Sequence, residues 1–92
     1  MPGRVDSTQE AIVAGYRRAG ASVHVTSNVR DGYPDLLVGY GGRSYPVECK
    51  SVGGKLTKQQ EEWHANWRGD VYVAHNVGEA LAVIGVEVVC KS

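Results

Sequence analysis

Three side chains near the middle of this 92-residue chain have types and spacing that could do chemistry together: Asp35, Glu48 and Lys50. They lie in the stretch PDLLVGYGGRSYPVECK, residues 34–50, which reads as two apolar strands joined by Gly41-Gly42. Strand alternation puts Asp35, Leu37 and Gly39 on one face and Leu36, Val38 and Tyr40 on the other. In the second strand Pro46, Glu48 and Lys50 share a face, and Tyr45, Val47 and Cys49 point away. If Gly41-Gly42 is a two-residue hairpin turn, Tyr40 pairs with Arg43, and the same register sets Asp35 opposite Glu48. The two carboxylates then sit side by side with Cβ atoms roughly 5 Å apart. Like charges in that position are destabilising unless something neutralises them. A divalent cation would do so, with Lys50 two residues further along the same face. A three-residue turn would instead move Glu48 off by one.

The elements that must position these residues follow in chain order. Residues 7–19 read as a helix, with Ser7 as N-cap and Glu10 completing a capping box. Ile12, Val13, Tyr16 and Ala19 form its apolar stripe, and Gly20 stops it. Arg17 and Arg18 near the end suit the helix dipole. Residues 22–26 alternate as a first strand, and 35–40 and 45–51 form the hairpin. Pro46 lacks an N–H and belongs at a strand's start or at an edge-like position. Thr57 and Gln60 make a second capping box for a helix through about Trp67. Leu56, Trp63 and Trp67 form its apolar face, with Gln60 on the same stripe, so the tryptophans are expected in the core. Residues 71–75 read as a fourth strand. Asn76 and Glu79 open a short helix through Ile84, stopped by Gly85, and residues 86–90 (VEVVC) read as a short last strand. The order α-β-β-β-α-β-α predicts the α/β class, a central mixed sheet flanked by helices. No repeat, linker or low-complexity tract divides the chain, so residues 1–92 are expected to be one domain.

Composition sets outer bounds. Ten basic and ten acidic residues give a formal net charge of zero. That neither supports nor excludes nucleic acid, where clustering on one face matters. No apolar run approaches a membrane span. MPGRVDSTQE has no apolar core of a secretory signal. The two cysteines are far apart and form no CxxC or zinc-like cluster, and a reducing cytoplasm is the expected compartment.

At Pro34-Asp35 and Glu48-Cys49-Lys50 the chain resembles the PD-(D/E)XK nuclease superfamily. Within it the run GYPDLLVGYGGRSYPVECKS followed by KLTKQQEEW is similar to the small stand-alone VRR-NUC domains of phages and bacteria. Theirs is a G-x-P-D strand, an E-x-K strand, then a helix opening with L-T/S-x-x-Q. The resemblance spans about residues 7–85. It implies a restriction-endonuclease-like core and a Mg²⁺- or Mn²⁺-dependent endonuclease that hydrolyses DNA phosphodiesters. It assigns Asp35, Glu48 and the backbone carbonyl of Cys49 as metal ligands, with Glu10 of the first helix as a further one. Lys50 would position or help deprotonate the attacking water, and Gln60 would orient water or a phosphate. Stand-alone domains of this size resemble Holliday junction resolvases, which implies a homodimer cutting four-way junctions in the cytoplasm of a bacterial or phage-infected cell. Residues 71–75 and 86–90 are candidate dimer surfaces. Lys55, Lys58, Arg17 and Arg43, with Arg18 and Arg30, are candidates for DNA phosphates. Lys55 and Lys58 are the best placed, because residues 53–57 leave the active-site strand.

Each assignment has a plainer structural counterpart. Asp35 would simply begin a strand. Glu48 and Lys50 would be a diagonal ion pair on an exposed face, and Glu10 and Gln60 would only cap helices. His24, His64 and His75 have no ligand-like spacing and read as structural, and Cys49 reads as a small core residue. At the level of function the alternatives are a partner-targeted nicking or flap endonuclease, and a non-catalytic nucleic-acid-binding module on the same fold. The intact set of Asp35, Glu48 and Lys50 argues against the last.

Overall fold

The computed structural model describes residues 4–86. The elements are α1 (Arg4–Arg18), β1 (Ser22–Val25), β2 (Leu36–Tyr40), β3 (Arg43–Cys49), α2 (Lys58–Asn66), β4 (Tyr72–Ala74) and α3 (Val77–Val83). This is the expected α-β-β-β-α-β-α order. The strands form one sheet in the order β1-β2-β3-β4. The first three pair antiparallel and β4 joins β3 in parallel, which makes the sheet mixed.

The hairpin turn fixes the register. Gly41 and Gly42 both have positive φ, 60° and 80°, as the tightest hairpin turns require. Tyr40 therefore pairs with Arg43, and the ladder runs back through Leu37↔Pro46 to Leu36↔Val47. Because the turn adds no slack, β3 begins at Arg43, earlier than the sequence reading placed it. Pro46 sits just before the point where β4 joins at Val47↔Tyr72, on the half of β3 with one neighbour.

The core lies on the sheet face that carries Leu36, Val38 and Val47. α1 and α3 cover it with Ile12, Val13, Tyr16, Ala80 and Ile84. α1 and α3 meet closely at Gly15, where a Cβ would stand 2.6 Å from a Val77 methyl. α1 ends in paired bonds from Gly20 N–H to Arg17 O and from Ala21 N–H to Tyr16 O. α3 ends the same way around Gly85. Asn76 caps its start by accepting from the Glu79 N–H at 2.8 Å. Among the described residues no helix is long and apolar enough to cross a membrane.

Three expectations need correction or limit. α1 starts at Arg4, so Ser7 lies inside it and is not its N-cap. No glycine or proline interrupts residues 4–7, and the helix runs back through them. α2 buries no residue, and Trp63 and Trp67 stand outside the core. Most of the expected last strand, from residue 87 on, lies outside the described residues.

Tyr16 carries a testable cost. Its ring is fully buried, yet its hydroxyl has no hydrogen-bond partner. Burial, then the Cys49 thiol, push its pKa upward. Tyr16→Phe removes an unsatisfied polar atom without opening a cavity. It is expected to leave the fold intact and raise stability by about 1 kcal/mol in urea unfolding. A loss of that size would mean that the hydroxyl has a partner in solution.

Candidate active site

Asp35 is held by a clasp one strand away. Where the β1–β2 ladder ends at Val25↔Leu36, the residue just after β1 takes over. The Thr26 N–H donates to the Asp35 carbonyl at 2.7 Å, and its buried hydroxyl donates to the Pro34 carbonyl, also at 2.7 Å. One threonine thus closes the base of the loop formed by residues 27–33. The Asp35 carboxylate reaches across to β3, where Oδ2 accepts from the Cys49 N–H at 3.0 Å. That puts it beside Glu48, where continuation of the register requires it.

Glu48 is only 1% exposed. Its Oε2 accepts from Gln60 Nε2 at 2.9 Å and lies 3.8 Å from Lys50 Nζ. Its Oε1 is buried and has no hydrogen-bond partner. Burial, and then the neighbouring Asp35 carboxylate, push the Glu48 pKa up to about 8, with Lys50 pulling the other way. The same surroundings act on Cys49. Burial, then Asp35 and Glu48, push its thiol up to about 12, so it is no nucleophile near neutral pH. Its side chain packs against the core.

Gln60 does two jobs with one amide. Its Oε1 accepts from the Thr57 N–H at 2.9 Å, while the Gln60 N–H donates to Thr57 Oγ1 at 3.1 Å. This is a complete capping box. Its Nε2 is left free to donate to Glu48. Capping and site contact exclude each other for a carboxylate pointing one way, but an amide has both an acceptor end and a donor end.

α2 is seated by the loop that the clasp closes. Asp31 and Gly32 have positive φ, 67° and 83°. A Cβ on Gly32 would stand 2.5 Å from the Gln59 carbonyl oxygen and 3.1 Å from Trp63 Cβ. Only glycine allows that approach. Between loop and helix lies a cleft of about 380 Å³ whose walls include Arg30, Asp31, Tyr33, Asp35, Thr57 and Gln60.

The structure brings together Asp35, Glu48, Cys49, Lys50 and Gln60. Glu10 is not with them. It lies exposed on the stripe of α1 that holds Ala14 and Arg17, and lines a separate groove against Val25. Arg17 is exposed and donates to the Val23 carbonyl at 3.4 Å. Arg43 stands at the turn end of the hairpin, five residues along the ladder from Glu48 and ~17 Å away. Lys55 and Lys58 are exposed on either side of Thr57, beside the cleft. Two residues gain a place that the sequence reading did not give them. Arg30 enters the cleft wall. His64 sits one turn after Gln60 on the same face of α2, with a buried Nε2 that has no partner. Desolvation, then the Lys50 charge, lower its pKa.

The donor set fits a hard divalent cation. An unpartnered buried carboxylate oxygen on Glu48, next to the Asp35 carboxylate, is the kind of ligand that Mg²⁺ and Mn²⁺ take. Among the described residues no group of three or more His, Cys, Asp or Glu is gathered for a metal. Mg²⁺ needs no such cage, since it keeps several waters and binds through one or two carboxylates.

No family model matches the chain, and no curated protein matches it by sequence. A solved structure described as a VRR_NUC domain matches it in fold. The TM-score is 0.70 at 26% identity, and the match covers 86% of this chain and 91% of that one. With that fold over nearly its whole length, the chain is similar to a VRR-NUC domain, which supports a nuclease-like domain.

Proposed function

We propose that the protein is a metal-dependent endodeoxyribonuclease. The observation that carries this reading is the Glu48 carboxylate, buried beside Asp35 with one oxygen unpartnered and with Lys50 and Gln60 against the other. A buried acid beside a second carboxylate costs stability, and a fold keeps such a cost where the two have work to do. Asp35 and Glu48 hold the cation, with the Cys49 carbonyl as a further ligand. When bound, Mg²⁺ or Mn²⁺ supplies Lewis-acid stabilisation of phosphate charge and eases deprotonation of the attacking water. Lys50 orients that water and steadies the phosphate. Gln60 fixes the Glu48 carboxylate in place. Lys55, Lys58 and Arg30 take neighbouring phosphates.

The favoured substrate is a four-way junction cut by a homodimer. The described residues 4–86 offer little surface with which to grip DNA alone. Two copies would double the basic surface and place one cut on each strand. The same reading puts the protein in the cytoplasm of a bacterial or phage-infected cell. The test is cleavage of a labelled junction against a linear duplex of the same sequences, with Mg²⁺ or Mn²⁺, beside Glu48→Ala. Paired symmetric nicks on the junction alone, absent in the variant, are the expected result. Equal cutting of both substrates would remove the junction preference and leave the nuclease. No cutting of either with any divalent ion would overturn the nuclease reading.

A further inference from the structure

The two tryptophans that the core does not use lie next to the proposed site. The Trp63 and Trp67 rings stack with centroids 4.7 Å apart and 18° between planes, and Tyr33 meets Trp63 edge-on at 5.3 Å. Trp67 is 45% exposed, and its Nε1 donates to the Asp70 carbonyl at 3.0 Å, which fixes the indole. Asp31, Gln59, Glu62, Trp63, Asn66 and Trp67 line a cleft of about 370 Å³. It shares Asp31 and Gln59 with the cleft that holds Asp35 and Gln60, so the two run into one another. Trp67 is seven residues beyond Gln60, roughly 10 Å along the helix axis.

We infer that this aromatic cleft takes an unpaired nucleobase from the strand that occupies the carboxylate site. The inference rests on the nuclease reading. The lining chooses the occupant. Asp31 and Glu62 repel a phosphate but accept hydrogen bonds from the exocyclic amino groups of cytosine and adenine. Gln59 and Asn66 can pair with a base edge. Exposed indole faces stack on any base, while a base inside a duplex has its own faces covered. A base with no stacking partner of its own, at a strand end or branch point, fits all three conditions.

The test uses the Glu48→Gln protein, so that DNA is bound and not cut, with two probes: a blunt duplex, and the same duplex carrying a short unpaired dC tail. The tail is expected to tighten binding by about tenfold or more, the scale of one base stacked on an aromatic ring, and to quench indole fluorescence. Trp67→Ala should abolish both effects and leave blunt-duplex affinity alone. Trp67→Phe, which keeps a ring, should retain most of the gain and shows that the loss is not one of folding. No gain from the tail would overturn the site. So would an equal loss on both probes in Trp67→Ala, or a dimer that Trp67→Ala dissociates, which would make the pair a subunit contact. Those failures leave cleavage by the wild-type protein untouched. Absence of binding to either probe, with no cleavage by the wild type, would instead remove the nuclease reading.

Discussion

Glu48→Gln is expected to make the metal-free protein more stable at pH 8 while abolishing its cleavage of DNA. The two effects have one origin. The carboxyl of Glu48 titrates near 4.5 when the chain is unfolded and at about 8 in the folded protein, raised by burial and by Asp35. Between those values the folded state binds the proton and the unfolded state does not. Stability is therefore full below about pH 4.5 and falls as the pH rises through 8, by on the order of a few kcal/mol at most. Glutamine keeps the shape, can still hydrogen-bond Gln60, and has no charge to bury. In the presence of a chelator the wild type should lose Tm steadily from pH 5 to pH 8.5 relative to the variant. A difference of about 5 °C or more at pH 8 follows from the usual scaling for a domain of this size. Mg²⁺ or Mn²⁺ should return the wild type toward its acid-side Tm and leave the variant where it was. Cleavage should fall on the order of a thousandfold, the scale of losing a principal group that stabilises the transition state. Parallel Tm–pH curves for the two proteins would refute the picture of a strained, buried acid.

The two roles of Gln60 separate in a pair of substitutions. Gln60→Glu keeps an acceptor for the Thr57 N–H, at a helix position that favours a carboxylate. It also replaces the donor to Glu48 with a third negative charge. Gln60→Ala removes cap and donor together. Alanine should cost about 1 kcal/mol at any pH, the usual loss of a capping contact. Glutamate should be close to neutral at low pH and destabilising above pH 8, where Glu48 ionises beside it. Both should lower cleavage by roughly 10- to 100-fold, as loss of an orienting partner does. Full activity in Gln60→Glu would reduce Gln60 to a capping residue.

The parts of the molecule that could be read in the sequence are those where a local rule propagates. A two-residue glycine turn fixes one pair, and a period of two then fixes every pair along the hairpin, so Asp35 against Glu48 followed from Gly41-Gly42. The start of α2 was legible because a capping box is a local hydrogen-bond pattern. The start of α1 was not. The same spacing between Ser7 and Glu10 occurs by chance inside a helix, and nothing around residue 7 forces the chain to stop. The tryptophan stripe misled for a different reason. Helical spacing says which side chains share a face, but not whether that face meets the sheet, and α2 rests on the loop of residues 27–33. Arg30 could not be placed because loop paths follow no period. His64 could have been found: once Gln60 is taken to face the site, the residue four positions on shares that face.

The threonine clasp has a consequence for how such a domain can diversify. Thr26 ties both the Pro34 and the Asp35 carbonyls, so Asp35 is anchored to the sheet without help from the seven residues between. Those residues supply Arg30, Asp31 and Tyr33 to the cleft wall. The segment that shapes what enters is thereby decoupled from the segment that would do the chemistry. Substitutions there can re-shape recognition while the reaction geometry is inherited unchanged, provided that a glycine remains where the loop touches the helix.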